Sequence, residues 1–136
     1  MKVHARRFLR TIRRARRACL AIVLALTVQN APAQAPAAME TTLKNMLAAV
    51  QSGSLTDFVA PGDASFKSGM TREMLNSVAA QLGPRLNAGY TSTFLGTVNQ
   101  QGYTVYLWKL EFKDGKDDRV VTMAVKDGKV GGFFLR

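Results

Sequence analysis

The stretch Tyr103-Thr104-Val105-Tyr106-Leu107-Trp108-Lys109-Leu110-Glu111-Phe112 is followed by Arg119-Val120-Val121-Thr122-Met123-Ala124-Val125 and by Val130-Gly131-Gly132-Phe133-Phe134-Leu135. These three segments are rich in β-branched and aromatic residues, and Asp114-Gly115-Lys116-Asp117 and Asp127-Gly128 separate them. Such texture, broken by short Asp/Gly turns, reads as antiparallel strands joined by hairpins. A fourth strand, Tyr90–Val98, precedes them across Asn99-Gln100-Gln101-Gly102. The expectation is a four-stranded antiparallel meander.

A two-residue turn at Asp127-Gly128 pairs Val125 with Val130, Met123 with Gly132 and Val121 with Phe134. A four-residue loop at Asp114–Asp117 pairs Leu110 with Val121 and Trp108 with Met123. One face then carries Tyr106, Trp108, Leu110, Val121, Met123, Val125, Val130 and Phe134, the natural seat for helices. The other face is half-apolar, with Leu107, Val120, Ala124, Phe133 and Leu135 beside Lys109, Glu111 and Thr122. It offers a surface for a second copy of the chain, against the plainer reading of scattered exposed apolar residues. The first hairpin's register stays open, because one residue in its loop moves Tyr90, Phe94 and Val98 between faces.

Upstream the period changes. Met39, Leu43, Met46, Leu47 and Val50 draw one helical stripe that ends at Ser52-Gly53. Ser54 is placed to cap a short helix through Val59, closed by Pro61-Gly62, and Gly62 to Met70 reads as a mobile loop. Thr71 caps a third helix with Met74, Leu75, Val78, Ala79 and Leu82 inward, stopped by Gly83-Pro84. Helices first and a sheet second define an α+β fold of one domain over residues 36–136.

The N-terminus reads differently. Eight of the nineteen basic residues lie between Lys2 and Arg17, and no acidic residue precedes Glu40. The uncharged run Ala18–Val28 follows, then Ala33-Gln34-Ala35. This is the order of a secretory signal peptide over residues 1–35, and the run covers only about half of the ~20 residues that span a bilayer. The mature chain is therefore expected in the periplasm or outside the cell, with no stable membrane anchor. Its remaining eleven basic and nine acidic groups leave a surplus of two, too small and too dispersed for a nucleic-acid footprint.

Signal removal also takes His4 and Cys19, the only histidine and the only cysteine. Imidazole base, thiol nucleophile, disulfide and thiolate or imidazole metal ligand go with them, and no phosphate-binding glycine motif remains. No metal and no cofactor are expected.

The Ser52-Gly53-Ser54-Leu55-Thr56-Asp57-Phe58 stretch, the Leu82-Gly83 to Gly89-Tyr90 connection, the Tyr103–Phe112 strand and the closing Gly128-Lys129-Val130-Gly131-Gly132-Phe133 carry a resemblance. Over residues 39–136 the chain resembles the nuclear transport factor 2-like (SnoaL-like) superfamily, and within it small exported bacterial domains of unknown function. The resemblance implies a cone of sheet wrapped around helices with a pocket at its open end. Some members of that superfamily are pocket enzymes and many are binding or dimerisation modules.

Enzymes of this fold move protons with an Asp or Glu beside a Tyr, or with a His, in an apolar pocket. Asp57 and Asp63 flank the short second helix and the loop that would form a lid, and are the acids to watch. Each also suits a local role, at a helix N-terminus or in a turn. Tyr106 and Trp108 share the core-side face, with Tyr90 joining in one register, as packing or as a ligand box whose polar atoms need partners. Arg85 stands at the end of the third helix, where it can meet an anionic ligand at a pocket rim or offset the helix dipole. The expected function is an exported, non-catalytic module that binds a small apolar ligand or a protein partner. The alternative is a small proton-transfer enzyme using an Asp/Tyr pair.

Overall fold

The structure, a computed structural model, describes residues 33–136. The basic stretch and apolar run read as an export signal lie outside the described residues, apart from Ala33-Gln34-Ala35, of which Ala35 is buried. The elements are α1 (Ala37–Ser52), α2 (Leu55–Val59), α3 (Ala64–Gly69), α4 (Arg72–Ala88), β1 (Tyr90–Gln100), β2 (Tyr103–Phe112), β3 (Arg119–Lys126) and β4 (Lys129–Leu135). The strands form one antiparallel sheet in the order β1-β2-β3-β4, so the α+β meander is observed.

Leu43, Met46, Leu47 and Val50 set α1, and all four are fully buried. At about 1.5–3 kcal/mol for each large apolar side chain, this stripe is a main anchor of the helix layer. Gly53, left-handed at φ 65°, ends the helix. α4 packs on α1, and its Leu75, Leu82 and Leu86 are buried. The expected stop at Gly83-Pro84 is not where α4 ends. Proline inside a helix costs about 3 kcal/mol. Pro84 is on the exposed side, and the burial of Leu86 with the fastening of Arg85 carries the helix on to Ala88.

The loop expected at Gly62–Met70 contains α3. Asp63 Oδ1 accepts the Phe66 N–H at 2.7 Å, which caps the helix, and Phe66 is buried 5.9 Å from the ring of Phe58. The segment before it is bound to the sheet. Asp63 N–H donates to the Val130 carbonyl at 2.8 Å and Val130 N–H donates to the Pro61 carbonyl at 2.9 Å, making a parallel bridge between Gly62 and Val130. Part of the free edge of β4 is closed in this way.

Two registers differ from expectation. β2 and β3 are displaced by two residues, with Trp108 opposite Val121 and Leu110 opposite Arg119. An even displacement leaves every side chain on its expected face. Between β3 and β4 the turn is the expected one, with Asp127 at φ 51° and Gly128 at φ 73°, and Val125 faces Val130. A bulge then shifts the pairing by one, so Met123 faces Phe133 and Val121 faces Leu135. That exchange puts Phe133 and Leu135 against the core and turns Phe134 out, 56% exposed.

In the first hairpin Gln101 (φ 52°) and Gly102 (φ 81°) make the two-residue turn that joins Gln100 to Tyr103. A bulge at Leu95 sets Phe94 opposite Trp108 on the core side and Val98 opposite Val105 on the outer side.

A methyl group on Gly62 would press into the Phe66 side chain and stand 3.0 Å from the Val59 carbonyl oxygen. Gly62→Ala is expected to cost about 1–3 kcal/mol by overpacking. Urea unfolding should show it as a lower midpoint at unchanged slope, and a midpoint equal to the parent's would mean that this junction yields freely.

Candidate functional site

A cleft of about 360 Å³ opens between α4 and β4. Leu75, Val78 and Leu82 follow one another at spacings of three and four, which places them on one face of α4 and along one wall. Phe58 of α2, Met70 beyond α3, and Phe133, Phe134 and Leu135 of β4 supply the rest of the apolar lining. Phe58 meets Phe133 edge-on, with centroids 5.5 Å apart and planes at 86°. The β4 side of the lining follows from the bulge, since the expected register would have turned Phe133 and Leu135 away.

The polar lining consists of Gln81, Arg85, Arg119 and Arg136. Among the described residues, no Asp or Glu lines the cleft. Arg119 is positioned by β3, where it follows the buried row Val125, Met123 and Val121 on the helix-facing side. Arg136 is held at the end of β4 by reciprocal backbone bonds with Val120, at 2.8 and 3.0 Å.

Arg85 is already engaged. Its Nε donates to Asp114 Oδ2 at 2.6 Å, its Nη2 donates to the Asp117 carbonyl at 2.8 Å, and its guanidinium stands 4.0 Å from the centre of the Phe112 ring. The Arg85 hydrogen bond, with the Lys116 N–H, holds the Asp114 carboxyl below its ordinary range, and Asp114 raises Arg85 in return. Arg85 thus lines the cleft and fastens the last turn of α4 to the β2–β3 connection.

The two watched acids serve helix ends. Ser54 Oγ donates to Asp57 Oδ2 at 2.7 Å and accepts the Asp57 N–H at 3.3 Å, a reciprocal cap for α2. Asp57 borders a separate shallow groove with Thr42, Asn45 and Ala48 of α1. Asp63 caps α3 and lies against β4.

Tyr106 and Trp108 do come together, stacked at 6.0 Å, with Phe94 5.5 Å from Trp108. Tyr90 is on β1, the far edge of the sheet, where partial burial raises its hydroxyl pKa. Three strand spacings, about 14 Å, therefore separate the strand of Tyr90 from the one that Asp63 touches. The Asp/Tyr pair named from sequence is not assembled by Asp63 and Tyr90.

Sequence reasoning passed over Glu40, whose Oε1 accepts the Trp108 indole N–H at 2.7 Å. Its spacing of three and seven from Leu43 and Leu47 was the available signal, since it places Glu40 on the buried stripe of α1. It also passed over Arg119 and Arg136, which local pattern does not distinguish from other exposed cations.

No family model matches the chain, and no curated protein matches it.

Because the Asp114 carboxyl is depressed in the folded state, its contribution to stability is present above the ordinary Asp range and is lost as pH falls through the lowered value. Between about pH 5 and pH 2 the parent should therefore lose thermal stability more steeply than Asp114→Asn. Parallel pH profiles would show that the Arg85–Asp114 contact contributes nothing to the fold.

Proposed function

We propose that this chain is an exported binding module of the nuclear transport factor 2-like (SnoaL-like) kind, its sheet curved as a cone around the helices, which takes a small apolar ligand into the cleft between α4 and β4. The observation that carries the reading is the lining. Phe58, Leu75 and Leu82 belong to the hydrophobic core and also border an open cleft of about 360 Å³. That size lies near the lower end of the ~300–1,000 Å³ typical of small-molecule sites, which are mostly apolar with a few placed polar groups. The capping bonds of Asp57 and Asp63 favour binding over proton transfer, since both carboxylates already serve a helix N-terminus. The basic and apolar N-terminal sequence supports export to the periplasm or the medium.

A second reading rests on the outer sheet face. Val98 is 53% exposed and Phe134 56%, and Val105, Leu107, Val120 and Ala124 are half-buried beside them. A second copy of the chain seated there would remove that surface from water.

Titration with a neutral solvatochromic dye tests the first reading. Val78→Trp, which fills the cleft from the α4 wall, should weaken dye binding about tenfold or more while leaving the circular dichroism spectrum unchanged. Equal binding by parent and variant would place the dye elsewhere and remove the reading. For the second, sedimentation equilibrium should find a dimer that Val98→Lys with Leu107→Lys converts to monomer; a monomeric parent would end it.

A further inference from the structure

We infer that the ligand of this cleft is an apolar monocarboxylate, its body against the α4 wall and its carboxylate at Arg119 and Arg136. The inference rests on the binding role proposed above and names the chemical class that the site takes.

Side-chain charge at the cleft is one-sided: three arginines line it and, among the described residues, no Asp or Glu does. The three are not equivalent. Arg85 is answered by Asp114 at 2.6 Å, whereas Arg119 and Arg136 have no carboxylate within 4.0 Å among the described residues. Two acids of this region, Glu111 and Asp118, are occupied, since Lys109 Nζ lies 3.2 Å from Glu111 and 3.9 Å from Asp118. Among the described residues, two guanidinium groups without an Asp or Glu partner therefore border an apolar surface.

Their geometry suits a head group at the lip. Val120 and Arg136 are bonded neighbours on adjacent strands, and Arg119 directly precedes Val120. Both arginines are exposed, so a carboxylate placed there keeps contact with water while the body it carries is covered. Guanidinium offers paired N–H donors matched to the two oxygens of a carboxylate, and the charge-assisted bonds so formed are stronger than neutral ones. Gln81 on the α4 side adds a neutral donor and acceptor. A neutral ligand would use only the apolar wall. A cationic one would meet like charge.

Isothermal titration of the purified protein with octanoate and with 1-octanol separates this inference from the reading beneath it. Octanoate should bind at least tenfold more tightly than the alcohol. Its advantage should shrink as sodium chloride is raised, and should vanish in Arg119→Gln with Arg136→Gln while the alcohol's affinity stays as in the parent. Equal affinity for acid and alcohol in the parent overturns the carboxylate inference and leaves the apolar cleft standing. Failure of both to bind overturns the two together. Persistence of the preference in the double variant overturns the assignment to these two arginines.

Discussion

Trp108 is the largest fully buried side chain of the described residues, and its indole carries a donor that an apolar core cannot leave unpaired. An orphaned buried N–H costs about 1–3 kcal/mol. Glu40 supplies the acceptor from the first turn of α1. The bond joins the start of the longest apolar stripe to an inner strand, and so fixes how α1 is rotated on the sheet. With that rotation set, Leu43, Met46, Leu47 and Val50 are buried together, and α4 packs beside them. Phe94 and Tyr106 cover the indole from the neighbouring positions of β1 and β2. The aromatic group that reads from sequence as packing or as a ligand box thus works as the joint between layers.

The other end of the sheet is arranged differently, and the cleft follows from the difference. At Val130 the chain from Pro61 to Asp63 binds the edge of β4, which brings α2 and α3 against that strand. One residue further on, Gly131 is the extra residue of the bulge, where a Cβ would come 2.6 Å from the Tyr103 ring. Beyond it, Phe133 and Leu135 face inward. Phe58, backed by Phe66, lies against Phe133 and faces the α4 wall, and the space left between these surfaces is the cleft. One backbone irregularity therefore decides that Phe133 and Leu135 face the core while Phe134, also at the cleft, is turned outward and more than half exposed.

Much of this architecture was legible in residue pattern. The helical stripes, the cap at Ser54, the strand texture and the Asp127-Gly128 turn are short-range features, and each is where its residues indicated except Met74, expected inward on α4 and half exposed. What pattern missed depends on contacts between distant segments. Asp63 reads as turn chemistry until Phe66 finds Phe58 to bury against, which makes a helix of the loop. Pro84 reads as a stop until Leu86 is buried and Arg85 meets Asp114. The bulge in β4 has no signal beyond Gly131-Gly132, and a displacement of one residue reverses every face after it. For the site itself, sequence named Arg85 and looked to the acids, because acids carry proton chemistry; the cleft is bordered by arginines drawn from separate strands.

An exposed arginine is ordinary, and in water its field fades within a Debye length of about 8–10 Å. What distinguishes Arg119 and Arg136 is the surface beside them. Apolar walls exclude water and focus the field of nearby charges, so a group at the cleft lip senses these cations more strongly than one on an open face would. The ion pairs of the β2–β3 connection sharpen this contrast. Arg85 and Lys109 answer Asp114, Glu111 and Asp118, so these three acids near Arg119 in sequence are engaged with other partners. The ligand proposed above would lie with its apolar body inward along Leu75, Val78 and Leu82 and its polar end outward at the strand ends. On β3 the inward-facing row ends in Arg119, and on β4 Arg136 directly follows the inward-facing Leu135, so both strand ends bring an arginine to the cleft lip.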